Sequence, residues 1–315
     1  MTIQDIYNTA KLPFKLLKEI VFDVYILSDR KKKIIYITSL SAGITPYYIE
    51  RLYDEDPKIT KVKKIYIWNL RKFVDQQTEV LIDIYRPLVR LLDGGLLVPS
   101  FVDQVLDIEK KSVNDSIKID KNNWKRIKKF SHEISNDYED LKFFYEKMYV
   151  PYIKRRYKDS ATIESFNNIE KIFKNGGLIF VIFDGERVAA SLDQKLGETY
   201  FLCKAGVIDD FYIKKGALVA SYYFSILRAK EVNAKIVDFG TSLPFLMDGV
   251  LRHKNNWGTR IRDDKSNKRF VYLKNCTFKE PFIYFEDEKL KTSVSSNNDK
   301  LLEEYRMSGL EFNIV

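Results

Sequence analysis

The chain has 315 residues, 45% of them hydrophobic, with 53 Lys and Arg against 44 Asp and Glu, a net charge of +9. That length suits one large or two ordinary domains, and the apolar fraction excludes global disorder. Two cysteines and two histidines exclude a disulfide framework or a four-Cys zinc centre, and no metal is expected.

No apolar run reaches the ~18 residues a membrane helix needs, so membrane insertion is not expected. Lys11, Lys15, Lys18, Glu19 and Asp23 interrupt the N-terminal apolar stretches. No signal peptide is expected there, and the location expected is cytoplasmic. The basic balance suits a phosphate-bearing or otherwise acidic partner. An AT-rich coding sequence would produce the same excess of Lys, Ile, Asn and Tyr.

In the first third, 21–27, 33–38 and 63–68 are rich in β-formers, with basic runs beside them (Arg30 to Lys33; Lys58, Lys61, Lys63, Lys64). Residues 79–92 carry apolar positions at helical spacing, kinked or split by Pro87 and closed by Asp93, Gly94 and Gly95. Residues 96–98 read as a further strand. The polar stretch 110–123 is the best boundary, giving an N-terminal α/β domain over 1–120 and a second domain over 121–315.

The second part alternates more clearly. A basic, helically spaced stretch at 124–130 leads to a strand at 130–135. Helices follow at 138–156 and 162–174, the second ended by Asn175, Gly176 and Gly177. Strands at 178–183 and 187–192 flank the turn pair Asp184 and Gly185, and a third strand covers 199–207 after the Gly197 and Glu198 turn. A polar link over 209–215 precedes a helix at 216–230 that is apolar on nearly every side. A strand at 235–239, loop and helix at 244–256, a closing strand pair at 269–273 and 281–285, a polar stretch at 292–300 and a short helix at 301–309 complete the order.

From Phe130 this sequence of elements resembles, over about 125–290, the GNAT superfamily of acyl-CoA N-acyltransferases. The hairpin Ile182 to Ala190, the run Phe143 to Arg156, and Asp238 to Ser242 followed by Asp248 to Gly258 are similar to its FemAB-like branch. That branch includes aminoacyltransferases that build peptidoglycan bridges. The resemblance implies an α+β fold, a GNAT-like mixed sheet flanked by helices, with the N-terminal region a degenerate second unit of the same kind. It also implies acetyl-CoA or another acyl-CoA as co-substrate and an amine of a small molecule, peptide or cell-wall precursor as acceptor.

A CoA pyrophosphate suits a helix N-terminus with a glycine at the close approach. Lys214, Lys215, Gly216 and Ala217 stand at that place. Of the superfamily's Gln/Arg-x-x-Gly-x-Gly/Ala signature, Gly216 is the matching position, with Ile213 and Leu218 at the outer ones. Backbone N–H groups from Phe201 through Cys203 to Ala205 would polarise the thioester carbonyl. Asp238, at the end of a parallel-type strand, is either the base that takes the amine proton or the cap of the next turn. Tyr222 would serve the leaving thiolate or belongs to the core. Cys203 is an acyl carrier or a buried structural thiol. Tyr152, Arg155, Arg156, Asp248 and Lys254 are the candidate substrate contacts, each with an alternative structural role. The basic segment 121–129 leaves tRNA open as a partner, in an aminoacyl-tRNA-dependent transferase. A non-catalytic basic binding module is the third reading.

Overall fold

A computed structural model describes residues 20–39, 46–74, 78–108, 121–158, 161–262, 269–287, 289–294, 298–305 and 308–312. The N-terminal stretch 1–19, most of the polar boundary at 110–123 and part of the polar stretch at 292–300 lie outside the described residues. The elements begin with β1 (Val21–Ser28), β2 (Lys33–Thr38), α1 (Pro46–Leu52), β3 (Lys58–Tyr66), α2 (Leu70–Val74), β4 (Glu79–Tyr85), β5 (Leu96–Pro99) and β6 (Val102–Asp107). Then come α3 (Lys121–Ile127), β7 (Ser131–Ser135), α4 (Tyr138–Phe143), α5 (Val150–Tyr157), α6 (Phe166–Phe173), β8 (Gly176–Phe183), β9 (Glu186–Leu196) and β10 (Thr199–Val207). The chain continues through α7 (Asp210–Lys215), α8 (Ala217–Glu231), β11 (Ile236–Ser242), α9 (Gly249–Asn255), β12 (Arg260–Arg262), β13 (Arg269–Lys274), β14 (Ile283–Glu286), β15 (Lys289–Thr292), α10 (Asp299–Tyr305) and β16 (Glu311–Phe312).

The fold is α+β, with two mixed sheets and flanking helices in two compact units. The first unit gathers residues 1–102, 242–252 and 262–315; the second gathers 103–241 and 253–261. The single cut expected near 120 therefore does not describe the chain. β13, β14 and β15 return to the first sheet and take the C-terminal residues with them.

The first sheet runs β16-β15-β14-β5-β13-β4-β2-β1-β3. Residues 79–85, expected to be helical, form its strand β4, and 86–91 form a 3₁₀ turn with Pro87 in its first turn. The reason is burial on both faces. Leu81 joins one apolar cluster with Ile34, Tyr36, Val271 and Leu273, while Val80, Ile82 and Ile84 join another with Phe22, Ile37, Phe270 and Tyr272. A central strand buried on both sides reads as a continuous apolar run, which mimics a helix in sequence. The strands expected to close as a pair, β13 and β14, do not pair with each other, because β5 lies between them.

The second sheet runs β12-β6-β11-β10-β9-β8-β7. The β8–β9 hairpin turns at Asp184 and Gly185, both at positive φ, the conformation that suits the twist of a tight hairpin. Strand alternation then divides the core. Ile179, Val181 and Ala189 pack with Ala217, Ala220 and Phe224 of α8, whereas Leu178, Phe180, Ala190 and Leu192 pack with Leu141, Phe144, Met148 and Ile169. The polar link expected at 209–215 is itself helical over α7, its N-terminus capped by Asp209, whose carboxylate accepts the Phe211 N–H.

Between α4 and α5 the helix widens into a π turn over Phe144–Tyr149. This turn lies directly on β10 at Gly206, where an added Cβ would stand 2.6 Å from the Tyr149 nitrogen and 2.7 Å from the Met148 carbonyl carbon. Backbone on both sides leaves no flexible atom to give way. Gly206→Ala is therefore expected to cost about 1–3 kcal/mol, read as a lower melting temperature. An unchanged melting temperature would contradict the close approach.

Candidate active site

β10 lies in the interior of its sheet, yet its middle is not sealed. Phe201, Leu202, Cys203, Lys204 and Ala205 are each only half-buried, whereas Leu178 to Val181 of β8 and Val188 to Asp193 of β9 are buried. The parallel register between β10 and β11 explains this. Among the described residues it covers three pairs, Thr199↔Ile236, Tyr200↔Val237 and Phe201↔Asp238, and extends no further. On the opposite side, β10 follows β9 to Val207 but slips register between Leu202 and Lys204, which leaves Cys203 as a bulge. A bulge bends its strand and increases its twist. The bend falls where the ladder to β11 stops, so a cleft opens between the two strands. At its β11 side, an added Cβ on Gly240 would meet nothing within 4 Å.

Asp238 sits at the last register pair, buried, with Oδ1 accepting the Gly240 N–H at 2.7 Å. The carboxylate thus holds the turn that follows while standing at the head of the cleft. Lys254 is buried and clasps the same strand end, its Nζ donating to the Gly240 carbonyl at 3.1 Å and the Thr241 carbonyl at 2.8 Å.

Tyr222 of α8 stacks on Phe239 (centroids 5.5 Å apart, planes 7° apart), with Trp257 at 5.8 Å and the His253 ring edge-on at 5.3 Å. Burial pushes the Tyr222 hydroxyl up to about 12, so it keeps its proton at neutral pH. His253 is a residue that the sequence reading passed over. Its Nε2 is buried without a hydrogen-bond partner among the described residues, and burial, Arg156 and Lys254 all lower its proton affinity. The imidazole is therefore neutral at neutral pH.

Arg156 is held on the Tyr152 hydroxyl at 3.0 Å and lies over the Tyr152 and Tyr157 rings. Its charge is felt at both Tyr222 and His253, so Tyr152, Arg156, Tyr222 and His253 form one group. Arg155 points elsewhere: it ties α5 to the Val207 carbonyl at 2.9 Å and to Asp210 at 3.3 Å. Asp248 lies apart from this group, in the first unit, where it caps α9 by accepting the Val250 and Leu251 N–H groups at 2.9 and 3.0 Å.

Gly216 ends α7 and opens the 15-residue helix α8, at φ +107°, a left-handed conformation that favours glycine. A Cβ there would also stand 3.1 Å from Cβ of Arg126. Lys214, Lys215 and Arg126 are exposed around this junction. Ala217 is fully buried and packs into the core.

A second polar group was not legible in the sequence. Asp193 is 1% exposed, and its Oδ2 accepts hydroxyl bonds from Ser225 at 2.6 Å and Ser191 at 3.0 Å. Its Oδ1 has no partner of hydrogen-bond geometry among the described residues, although the Cys203 amide lies close enough to oppose the burial effect. Burial raises this carboxyl from 3.8 to about 7. The same burial, reinforced by Asp193, pushes the Cys203 thiol up to about 12, which withholds the thiolate an acyl carrier needs.

No protein-family profile and no curated protein sequence matches the chain. Solved structures similar to it include FemX, at 13% identity over 80% of this chain and 84% of that one, with a TM-score of 0.45. L-PGS from Bacillus licheniformis is similar at 10% identity over 91% and 86%, TM-score 0.38. A GCN5-related N-acetyltransferase from Kribbella flavida is similar at 11% over 87% and 95%, TM-score 0.33. The GNAT-like and FemAB-like resemblance read from the sequence is thus met again among solved structures. At these scores it carries no statement of activity.

The Asp193 carboxyl makes stability depend on pH. Folding takes up a proton between the unfolded value near 3.8 and the folded value near 7, so this group's contribution falls as pH rises through that window. Asp193→Asn removes the ionisation. The variant should gain on wild type between about pH 5 and pH 8, by on the order of 4 kcal/mol at the upper end. Thermal melts across pH measure this, and a difference that stays constant with pH would contradict it.

Proposed function

We propose that the second unit is an N-acyltransferase that moves an acyl group, acetyl in the simplest case, from acyl-CoA to an amine of a small molecule, peptide or cell-wall precursor. The observation that carries this reading is the parting of β10 from β11 after Phe201↔Asp238, with the Cys203 bulge beside it. A sheet interior that opens along one strand offers backbone N–H groups to a linear, amide-bearing arm and to a thioester carbonyl.

The junction after β10 suits the rest of such a donor. Pyrophosphate would meet the first-turn N–H groups of α8, which have no intrahelical partner, beside Lys214, Lys215 and Arg126. In the reaction, the neutral amine attacks the thioester carbonyl, the tetrahedral intermediate collapses, and the carbon–sulfur bond breaks. The amine proton passes to Asp238 at the head of the cleft, directly or through water. Tyr222 keeps its proton and can donate a hydrogen bond to the departing thiolate. Direct attack needs no covalent enzyme intermediate, which agrees with the raised Cys203 thiol.

The four exposed cations Lys125, Arg126, Lys128 and Lys129 favour a second reading, an aminoacyl-tRNA donor. One experiment separates the two. Acetyl-CoA should raise the melting temperature of the wild type, since a ligand of the folded state stabilises it. Lys214→Glu with Lys215→Glu should abolish that shift without the backbone strain that any side chain at Gly216 would add. No shift with any CoA ester at millimolar concentration, together with salt-resistant tRNA binding lost on changing Lys125, Lys128 and Lys129 to Ala, would reverse the ranking.

Asp238→Asn keeps an acceptor for the Gly240 N–H and removes the charge. Turnover should fall by ~10²–10⁴ while the CoA-dependent thermal shift persists. A collapse of the melting temperature with no specific loss of turnover would assign Asp238 to the turn alone.

A further inference from the structure

The first unit ends on one side in β3, the last strand of its sheet. An ordinary edge strand buries one of its two faces. Of the nine residues here, only Ile65 is buried. The bare positions are of two kinds. Ile59, Val62, Tyr66 and Trp68 are 48%, 49%, 51% and 66% exposed, and the Tyr66 and Trp68 rings stack at 4.7 Å with planes 6° apart. Among them stand the exposed cations Lys61, Lys63 and Lys64, followed by Arg71 and Lys72 at the end of α2.

The sequence has no acidic residue from Lys58 to Val74. Asp23, on the neighbouring strand, pairs with Lys61 at 2.6 Å. The acidic run Asp54, Glu55 and Asp56 precedes Lys58, at the other end of a strand that extends roughly 26 Å to Tyr66. The aromatic end is thus the cationic end.

Lysines alone would be explained as protection of an open edge against pairing. Exposed isoleucine, valine and tryptophan work against that purpose. A nucleic acid would use the cations and ring faces, but Ile59 and Val62 offer a base nothing, and Tyr66 and Trp68 already cover one face of each other. A second copy of this edge would bring like charges together. An anionic bilayer surface uses every part: Lys and Arg meet lipid phosphates, Trp and Tyr rest at headgroup level, and aliphatic side chains reach the acyl boundary. The open backbone edge stays at that level, because hydrocarbon would leave its N–H and C=O groups unsatisfied.

We propose that β3 and the turn carrying Trp68 dock the protein reversibly on an anionic lipid surface, without insertion. The test is co-sedimentation of the full chain at physiological salt with two kinds of vesicle. One is phosphatidylcholine alone, and the other contains about one-third phosphatidylglycerol. The protein should pellet only with the anionic vesicles. Lys63→Glu with Lys64→Glu should weaken that partition by ~10-fold or more, and Trp68→Ala by several-fold, with melting temperatures unchanged because all three side chains are exposed. Brominated lipid should quench tryptophan emission in the wild type, and Trp68→Phe should lose that quenching. Equal binding to both vesicles, no binding to either, or anionic binding indifferent to these substitutions would overturn the proposal. So would tight RNA binding through the same lysines with no vesicle binding.

Discussion

The parallel ladder between β10 and β11 lasts three residue pairs, and the arrangement of the second unit follows from what ends it. On one side of β10, the bulge at Cys203 bends the strand where pairing to β11 stops. On the other face, Gly206 lets the π turn over Phe144–Tyr149 settle against the backbone, which no larger residue would permit. Arg155 then ties α5 to the Val207 carbonyl at the strand's end. β10 is therefore anchored at both ends and bent in the middle, so its half-buried centre is a fixed feature.

The groups around this opening share an electrostatic character. Asp193, Cys203, Tyr222 and His253 are all pushed by burial toward their neutral forms. The fixed charges come from Arg156, held by Tyr152, and from Lys254, held by two carbonyls of β11. Neutral walls with a few anchored charges suit a reaction in which a neutral amine meets a neutral thioester and charge develops only in between.

Much of the second unit was legible because its strands are bounded by strong turns. Asp184 with Gly185 and Gly197 with Glu198 fix the hairpins, and β10 spans the same residues in sequence and structure. β4 was misread because burial on both faces erases the two-residue period. The β13 and β14 pairing was misread because nearness in sequence says nothing of β5, which comes from far earlier in the chain and lies between them. Gly216 was legible as a helix opening. Asp193 and His253 were not, since what singles them out is burial and an unpartnered atom, which only the folded neighbourhood supplies. Asp248 had the residue type of a site residue and the surroundings of a helix cap.

The central claim is that the open centre of β10 and the start of α8 receive an acyl-CoA. Amide hydrogen exchange with and without acetyl-CoA tests it most directly, because it reads the backbone groups invoked. Protection should appear over 202–207, 217–219 and 238–241 and leave β1 to β5 unchanged. Saturating acetyl-CoA with no protection over 202–207, or with protection confined to the first unit, would contradict the account.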